Sequence, residues 1–255
     1  MTDRAIPVTA PARRRTVRAL LLAALLVLVV PAASAHALTV YAASSLRDAF
    51  PQIADATYSF AGSNALQLQI ERGAPADVFA SASPKEAQAL FEQGRCTRPV
   101  TFATNVVVLL VPKGNPSHVR SIYSLKDGNR RLAIGTPGVP IGDYTRKLLA
   151  RMRLSSILST NTVSQETNVS GITAKVALGS ADAGFAYVTD GKIVADRVQT
   201  IELPTWAQPP VRYGICAVRR SGADTSAANA FIAKVVGTKG RSVLRAGGFG
   251  LPPRG

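Results

Sequence analysis

Four stretches of small and hydroxyl residues stand directly before apolar helical patterns: Ala42-Ala43-Ser44-Ser45, Phe60-Ala61-Gly62-Ser63-Asn64, Gly138-Val139-Pro140-Ile141-Gly142 and Glu166-Thr167-Asn168-Val169. The start of a helix carries N–H groups with no partner inside the helix, and the positive end of the helix dipole. Several such starts meeting in one cleft would hold an oxyanion through neutral donors. Taken singly, a Ser at a strand-to-helix junction is most simply an N-cap, so the chemistry rests on the four stretches together. A hydrolytic apparatus is not in view. The chain has two His, His36 and His118, and the second lies in a loop with Gly114, Asn115 and Pro116. No G-x-S-x-G elbow, H-E-x-x-H pair or P-loop occurs, and a nucleophile without a positioned base is weak. The sequence therefore reads as a binding protein rather than an enzyme, with no cofactor and no metal held directly by side chains.

The elements that would position these stretches alternate. Strands are expected at Leu38–Ala42, Tyr58–Phe60, Val78–Ala80, Val106–Val111, Leu132–Gly135, Ala183–Tyr187 and Tyr213–Val218. Helices are expected at Ser45–Ala54, Asn64–Glu71, Tyr144–Arg151, Val169–Leu178 and Thr225–Val236, with a last short one at about Lys239–Arg245. Ser83-Pro84-Lys85-Glu86 has the cap, first-turn Pro and following Glu of a helix start, and Gly94 marks that helix's end. Alternation of this kind implies α/β layers with largely parallel sheets. Two apolar strands without linkers around them, Val106–Val111 and Tyr213–Val218, are candidates for crossings between two lobes. A chain of 255 residues suffices for two lobes of roughly 100 residues each.

The N-terminus has a different character. Arg13, Arg14, Arg15 and Arg18 precede an apolar run from Ala19 to Val30, then Pro31 and small residues through Ala37. This reads as a secretory signal peptide over residues 1–35, cleaved after Ala35 or Ala37; the run is short for a membrane span, which takes about 20 residues. No Cys stands near the site, which argues against a lipid anchor. Residues 1–35 hold five Arg and one Asp, so 25 basic and 14 acidic residues remain beyond them. That excess attracts anions. No basic run adjoins an aromatic platform, so nucleic acid is not the expected partner. Export also changes how Cys96 and Cys216 are read. With no C-x-x-C spacing they can pair as a disulfide, or remain two buried thiols.

The motifs also occur in a familiar order. Val40-Tyr41-Ala42-Ala43-Ser44-Ser45-Leu46, Phe60-Ala61-Gly62-Ser63 with Gln69-Ile70, and Gly73-Ala74-Pro75-Ala76-Asp77-Val78-Phe79 with Ser81-Ala82-Ser83 come first. Asn105 with its apolar strand and Pro112, Val139-Pro140-Ile141-Gly142-Asp143-Tyr144, and Ala181-Asp182-Ala183-Gly184 through Tyr187 to Asp190 follow. Together they resemble the molybdate-binding proteins of ABC transporters, over about Leu38 to Gly250. The resemblance implies a type II periplasmic-binding fold, two α/β lobes joined by a two-segment hinge. Residues 36–108 plus 216–255 would form lobe I, and 109–215 lobe II. It implies an extracytoplasmic protein, acting as a monomer, that captures molybdate or tungstate and delivers it to an ABC permease. Binding of another anion such as sulfate, an exported enzyme and a sensory module of the same fold are the alternatives. By the resemblance, Ser45 and Ser63 would offer hydroxyl and N–H, Ile141 and Val169 a backbone N–H, and Tyr187 its phenol. The metal would be bound only as its oxyanion, through these same residues.

Two departures from that family stand out. The segment between Ile53 and Phe60 is short, with Pro51 inside the expected helix, and Asn168 stands where an acidic residue is common, with Glu166 nearby. Asp77, Asp182 and Asp190 read as structural, because a carboxylate repels a dianion. Trp206, among Pro204, Pro209 and Pro210, reads as a surface-loop anchor, and Arg219-Arg220 as a solvated pair.

Overall fold

The computed structural model describes residues 1–2 and 37–253. The signal segment expected over residues 1–35 lies, from residue 3 onward, outside the described residues. From Thr39 the chain runs β1 (Thr39–Ala43), a 3-10 turn (Ser44–Leu46), α1 (Phe50–Ile53), β2 (Thr57–Ala61), α2 (Ser63–Glu71), β3 (Val78–Ser81), α3 (Pro84–Glu92), β4 (Val100–Asn105) and β5 (Val107–Pro112). It continues with β6 (Leu132–Gly135), α4 (Pro140–Arg151), α5 (Ile157–Thr160), β7 (Thr162–Glu166), α6 (Val169–Ala177), β8 (Ala183–Tyr187), α7 (Val188–Ile193), β9 (Val198–Ile201), β10 (Val211–Ala217), α8 (Thr225–Val236) and α9 (Thr238–Gly247).

These strands build two five-stranded sheets, ordered β2-β1-β3-β10-β4 and β7-β6-β8-β5-β9. In the first, β1 is parallel to β2 and β3, while β10 is antiparallel to β3 and β4. In the second, β6 is parallel to β7 and β8, while β5 is antiparallel to β8 and β9. Each sheet therefore carries one reversed strand, and in both it is the strand that enters after the chain has left the other sheet. The central strands β3, β6 and β8 are buried along their whole length, as strands covered by helices on both faces must be.

The strands expected to cross between lobes do not cross. All of β5 is laddered in the second sheet and all of β10 in the first. A strand satisfies its N–H and C=O groups only beside its neighbours, so the crossings fall in the irregular segments, at Asn105–Val107 and between Ile201 and Val211. The first sheet thus takes the chain to Asn105 and from Val211 onward, not to 108 and from 216. The helix expected over Ser45–Ala54 is also two pieces. Pro51 has no N–H and fits the first turn of a new helix, so the 3-10 turn ends and α1 begins afresh. The Tyr58 hydroxyl donates to the carbonyls of Ala54 (2.5 Å) and Phe50 (3.1 Å) and closes the shortened end of α1. Arg220 is not a solvated residue. Its guanidinium donates to buried Asp77 at 2.6 Å and to the Ala76 carbonyl at 3.1 Å, while Asp77 also accepts the Thr39 N–H at 2.8 Å. Asp77 therefore fastens β1 to the segment after β10.

Candidate functional site

Ser45, Ser63, Ile141, Val169 and Tyr187 all line one cavity, together with Ala43, Ser44, Gly62, Val139, Pro140 and Asn168 among others. The cavity has about 210 Å3 of atom-free space. Four other depressions run from about 700 to about 790 Å3, so this one suits a small ion rather than an organic solute. Ser45 and Ser63 come from the first sheet's lobe, and Ile141, Val169 and Tyr187 from the second.

Three α-helices and the 3-10 turn start here. Gly62 precedes α2, Val139 precedes α4 and Ala43 precedes the turn, and none of the three provides a side-chain cap. Their first N–H groups therefore remain for something else. At α4, Pro140 occupies the first position, where a missing N–H costs nothing, and Ile141 offers the first free one. Asp143 accepts the Gly138 N–H at 2.8 Å and so holds the preceding loop clear of the helix start. Gly142 lets that start lie flat on the strand end, since a Cβ there would fall on the carbonyls of Gly135 and Thr136. At α6, Asn168 accepts the Gly171 N–H at 3.2 Å and leaves Val169 free. Glu166 faces away from this work, since it is bound to Lys175 at 2.8 Å and to the Ser164 hydroxyl.

The hydroxyls are equally directed. Ser63 Oγ accepts the Ala82 N–H at 3.0 Å, which leaves its own proton free to point into the cavity. Ser45 Oγ lies 2.9 Å from the Tyr213 hydroxyl. Tyr187 is 1% exposed and its hydroxyl has no hydrogen-bond partner among the described residues. Burial first, and then the neighbouring Tyr213, Tyr144, Asp190 and Glu86, push its pKa well above the ordinary tyrosine value. It is therefore a protonated donor without an acceptor, a costly state unless a ligand supplies one. Its ring packs edge-on between Tyr144 (6.5 Å) and Tyr213 (6.0 Å). Asp190 accepts the Tyr187 N–H at 3.2 Å, and burial pushes this carboxyl up to about 7. Asn64 Oδ1 is also buried without a partner, but Asn64 does not line the cavity.

The two lobes are closed together around the cavity. A Cβ on Gly62, in the first lobe, would fall on the Thr167 carbonyl of the second. Lys85 on α3 reaches Asp143 on α4 at 3.8 Å. The sequence identified five lining residues but missed Tyr213 and Asn105 behind Ser45. No local pattern joins Ser45 to Tyr213, which lies 168 residues further on and reaches it only through the sheet order.

Away from the cavity, Cys96 and Cys216 are fully buried in a small apolar cluster with Leu66, Phe79 and Leu90 and are free thiols in the structure. A hydrogen bond with Cys96, then burial, pushes the Cys216 thiol up. Among the described residues no group of three or more His, Cys, Asp or Glu is arranged to hold a metal ion. Trp206 is 66% exposed in a short 3-10 turn of the second crossing.

Comparison with known proteins agrees with this architecture. A family model described as bacterial extracellular solute-binding protein matches residues 38–250. The molybdate-binding protein ModA of Mycobacterium tuberculosis is 34% identical over 233 residues, 87% of this chain and 87% of its own. ModA of Haemophilus influenzae is 32% identical over 238 residues, 86% of this chain and 91% of its own. The solved structure of the Azotobacter vinelandii periplasmic molybdate-binding protein superposes with a TM-score of 0.75 at 25% identity, covering 85% of this chain and all of that one. The chain therefore belongs to the bacterial extracellular solute-binding proteins, in the family of the molybdate-binding proteins ModA.

Proposed function

We propose that the protein captures molybdate outside the cytoplasm and hands it to the permease of an ABC importer, with tungstate accepted because it has nearly the same size, shape and charge. The observation that carries this reading is the Tyr187 hydroxyl. It is a buried, protonated donor with no acceptor among the described residues, set where three helix N-termini converge. A tetrahedral dianion satisfies all of these donors at once, with Ser45, Ser63, Ile141, Val169 and Tyr187 as its contacts. The small cavity and the ModA relatives support the same ligand. No reaction step is required, so the protein acts as a carrier rather than an enzyme, and as a monomer whose two lobes close on the ion. Residues 1–35 serve as the cleaved export signal. In the oxidising compartment Cys96 and Cys216 pair, giving two protons and two electrons to a thiol-oxidising disulfide. Their adjacency in the apolar cluster supports this. A thermal-shift series over molybdate, tungstate, sulfate and phosphate tests the reading: the first two should raise the melting temperature most. Stabilisation by sulfate alone would favour a sulfate carrier of the same fold, and stabilisation by none would remove the oxyanion assignment.

A further inference from the structure

The serine donor in the first lobe is aimed by a chain of hydrogen bonds that begins at the hinge. Asn105 is the last residue before the first crossing, and Tyr213 lies on β10 just after the second. The Val106 backbone N–H, which can only donate, approaches Asn105 Oδ1 at 2.9 Å. This fixes the amide so that Nδ2 faces the other way. Nδ2, also donor only, reaches Thr189 Oγ1 at 2.9 Å and the Tyr213 hydroxyl oxygen at 3.2 Å. With that oxygen already accepting from Asn105, the Tyr213 proton has Ser45 Oγ, 2.9 Å away, as its acceptor. Ser45 Oγ then accepts from Tyr213, and its own proton is left for the cavity. Ser45, Asn105 and Tyr213 are all buried, so water does not compete for these bonds.

We infer that Asn105 and Tyr213 are positioning residues that polarise Ser45 as an obligate donor, so that the site prefers tetrahedral dianions without a proton over those that carry one. The inference rests on the oxyanion reading above. A ligand O–H needs an acceptor; the relay takes one of the two Ser45 lone pairs, and the second can face a ligand O–H only if the Ser45 proton turns away from the cavity. Ser63, whose oxygen accepts from Ala82 N–H, is oriented the same way by the backbone alone. Asn105 is the last residue before the first segment that joins the lobes and Tyr213 lies near the start of the strand that follows the second, so the direction of the donor is set beside the hinge.

The test compares molybdate with hydrogenphosphate, both divalent at mildly alkaline pH, of which only hydrogenphosphate carries a proton. Tyr213→Phe removes the proton that occupies the Ser45 oxygen, and Ser45 becomes free to accept. Asn105→Asp replaces the donor with an acceptor and should reverse the relay: Tyr213 would donate to the carboxylate and accept from Ser45. The added charge penalises both dianions alike, so the ratio of their dissociation constants isolates the relay. The expected result is a narrowing of that ratio by about tenfold in Tyr213→Phe, the scale of one hydrogen bond, and by more in Asn105→Asp. Circular dichroism and melting curves establish that each variant is folded, and Tyr213→Phe decides if the aspartate variant is not. If the wild-type protein binds molybdate and Tyr213→Phe keeps the parent's ratio, the relay is wrong and the proposed function stands. If the wild type binds no tetrahedral oxyanion, the proposed function fails and takes the relay with it.

Discussion

Ligand binding by neutral donors makes a distinctive claim about single residues. A donor that has no partner in the free protein destabilises it, and the same donor stabilises the complex. Tyr187 is such a group, so Tyr187→Phe should leave the melting temperature of the free protein unchanged or higher while weakening molybdate binding. The loss should be about 1.5–3 kcal/mol, roughly ten- to a hundredfold, as expected for a hydrogen bond to a charged acceptor. Calorimetry and thermal denaturation of the same variant check both halves. A variant that binds as tightly as the parent would mean the phenol does not touch the ligand. At Ile141 the proposed contact is a backbone N–H, so Ile141→Val should bind like the parent and Ile141→Pro should bind very poorly. The stretches visible from sequence were those that announce themselves locally, by a hydroxyl or a small residue ahead of a helix, while Tyr187 was named only through the family resemblance. Tyr213 and Asn105 gave no such signal, because their role arises only when β10 and β4 are laid beside one another.

The helix starts and strand ends are held in place by buried polar groups, and these carry their own predictions. Asp190 sits at the start of α7, fully buried, with its carboxyl pushed up to about 7. In the unfolded chain it titrates near the ordinary carboxylate value of about 3.9. Between those values the folded state keeps a proton that the unfolded state has lost. The contribution is therefore fully present below about pH 4 and is lost as pH rises through about 7. Melting temperatures across that window should fall in the parent relative to Asp190→Asn, and parallel curves for the two would show that Asp190 titrates normally. The Cys96–Cys216 bridge would join the segment after α3 to β10, closing a loop for which the entropic stabilisation is about 4–5 kcal/mol at most. Exported protein unfolded without reductant should present no titratable thiol; two would exclude the bridge. Most elements were legible in the sequence, Leu132–Gly135, Ala183–Tyr187 and Thr225–Val236 to the residue. The strands β4, β7 and β9 were not, because two residues each of β4 and β9 face solvent and β7 opens beside an irregular register with β6, so none presents a clean apolar run.

In the whole molecule, the lobes built on the two sheets meet over one small cavity. The sequence indicated two lobes but misplaced the crossings, since an apolar strand looks the same whether it bridges two sheets or lies inside one. One close contact across the cleft is the approach of Gly62 to the Thr167 carbonyl, where an added Cβ would meet backbone. Gly62 has ordinary helix-preceding angles, φ −65° and ψ 137°, so Gly62→Ala carries no backbone strain; the added Cβ meets the Thr167 carbonyl across the cleft and the end of the Asn64 side chain on its own side. Solution scattering should show the parent contracting when molybdate is added and Gly62→Ala contracting less, with affinity reduced by about ten- to a hundredfold on the scale of an overpacked contact. Equal contraction in both would place the closing contact elsewhere. The central claim, that this is a donor-only site for a proton-free tetrahedral dianion, meets its most direct test in calorimetric titration of the purified protein with molybdate, sulfate and hydrogenphosphate in turn. The account predicts one site per chain, tightest for molybdate, weaker for sulfate and weakest for hydrogenphosphate; hydrogenphosphate binding as tightly as molybdate would contradict it.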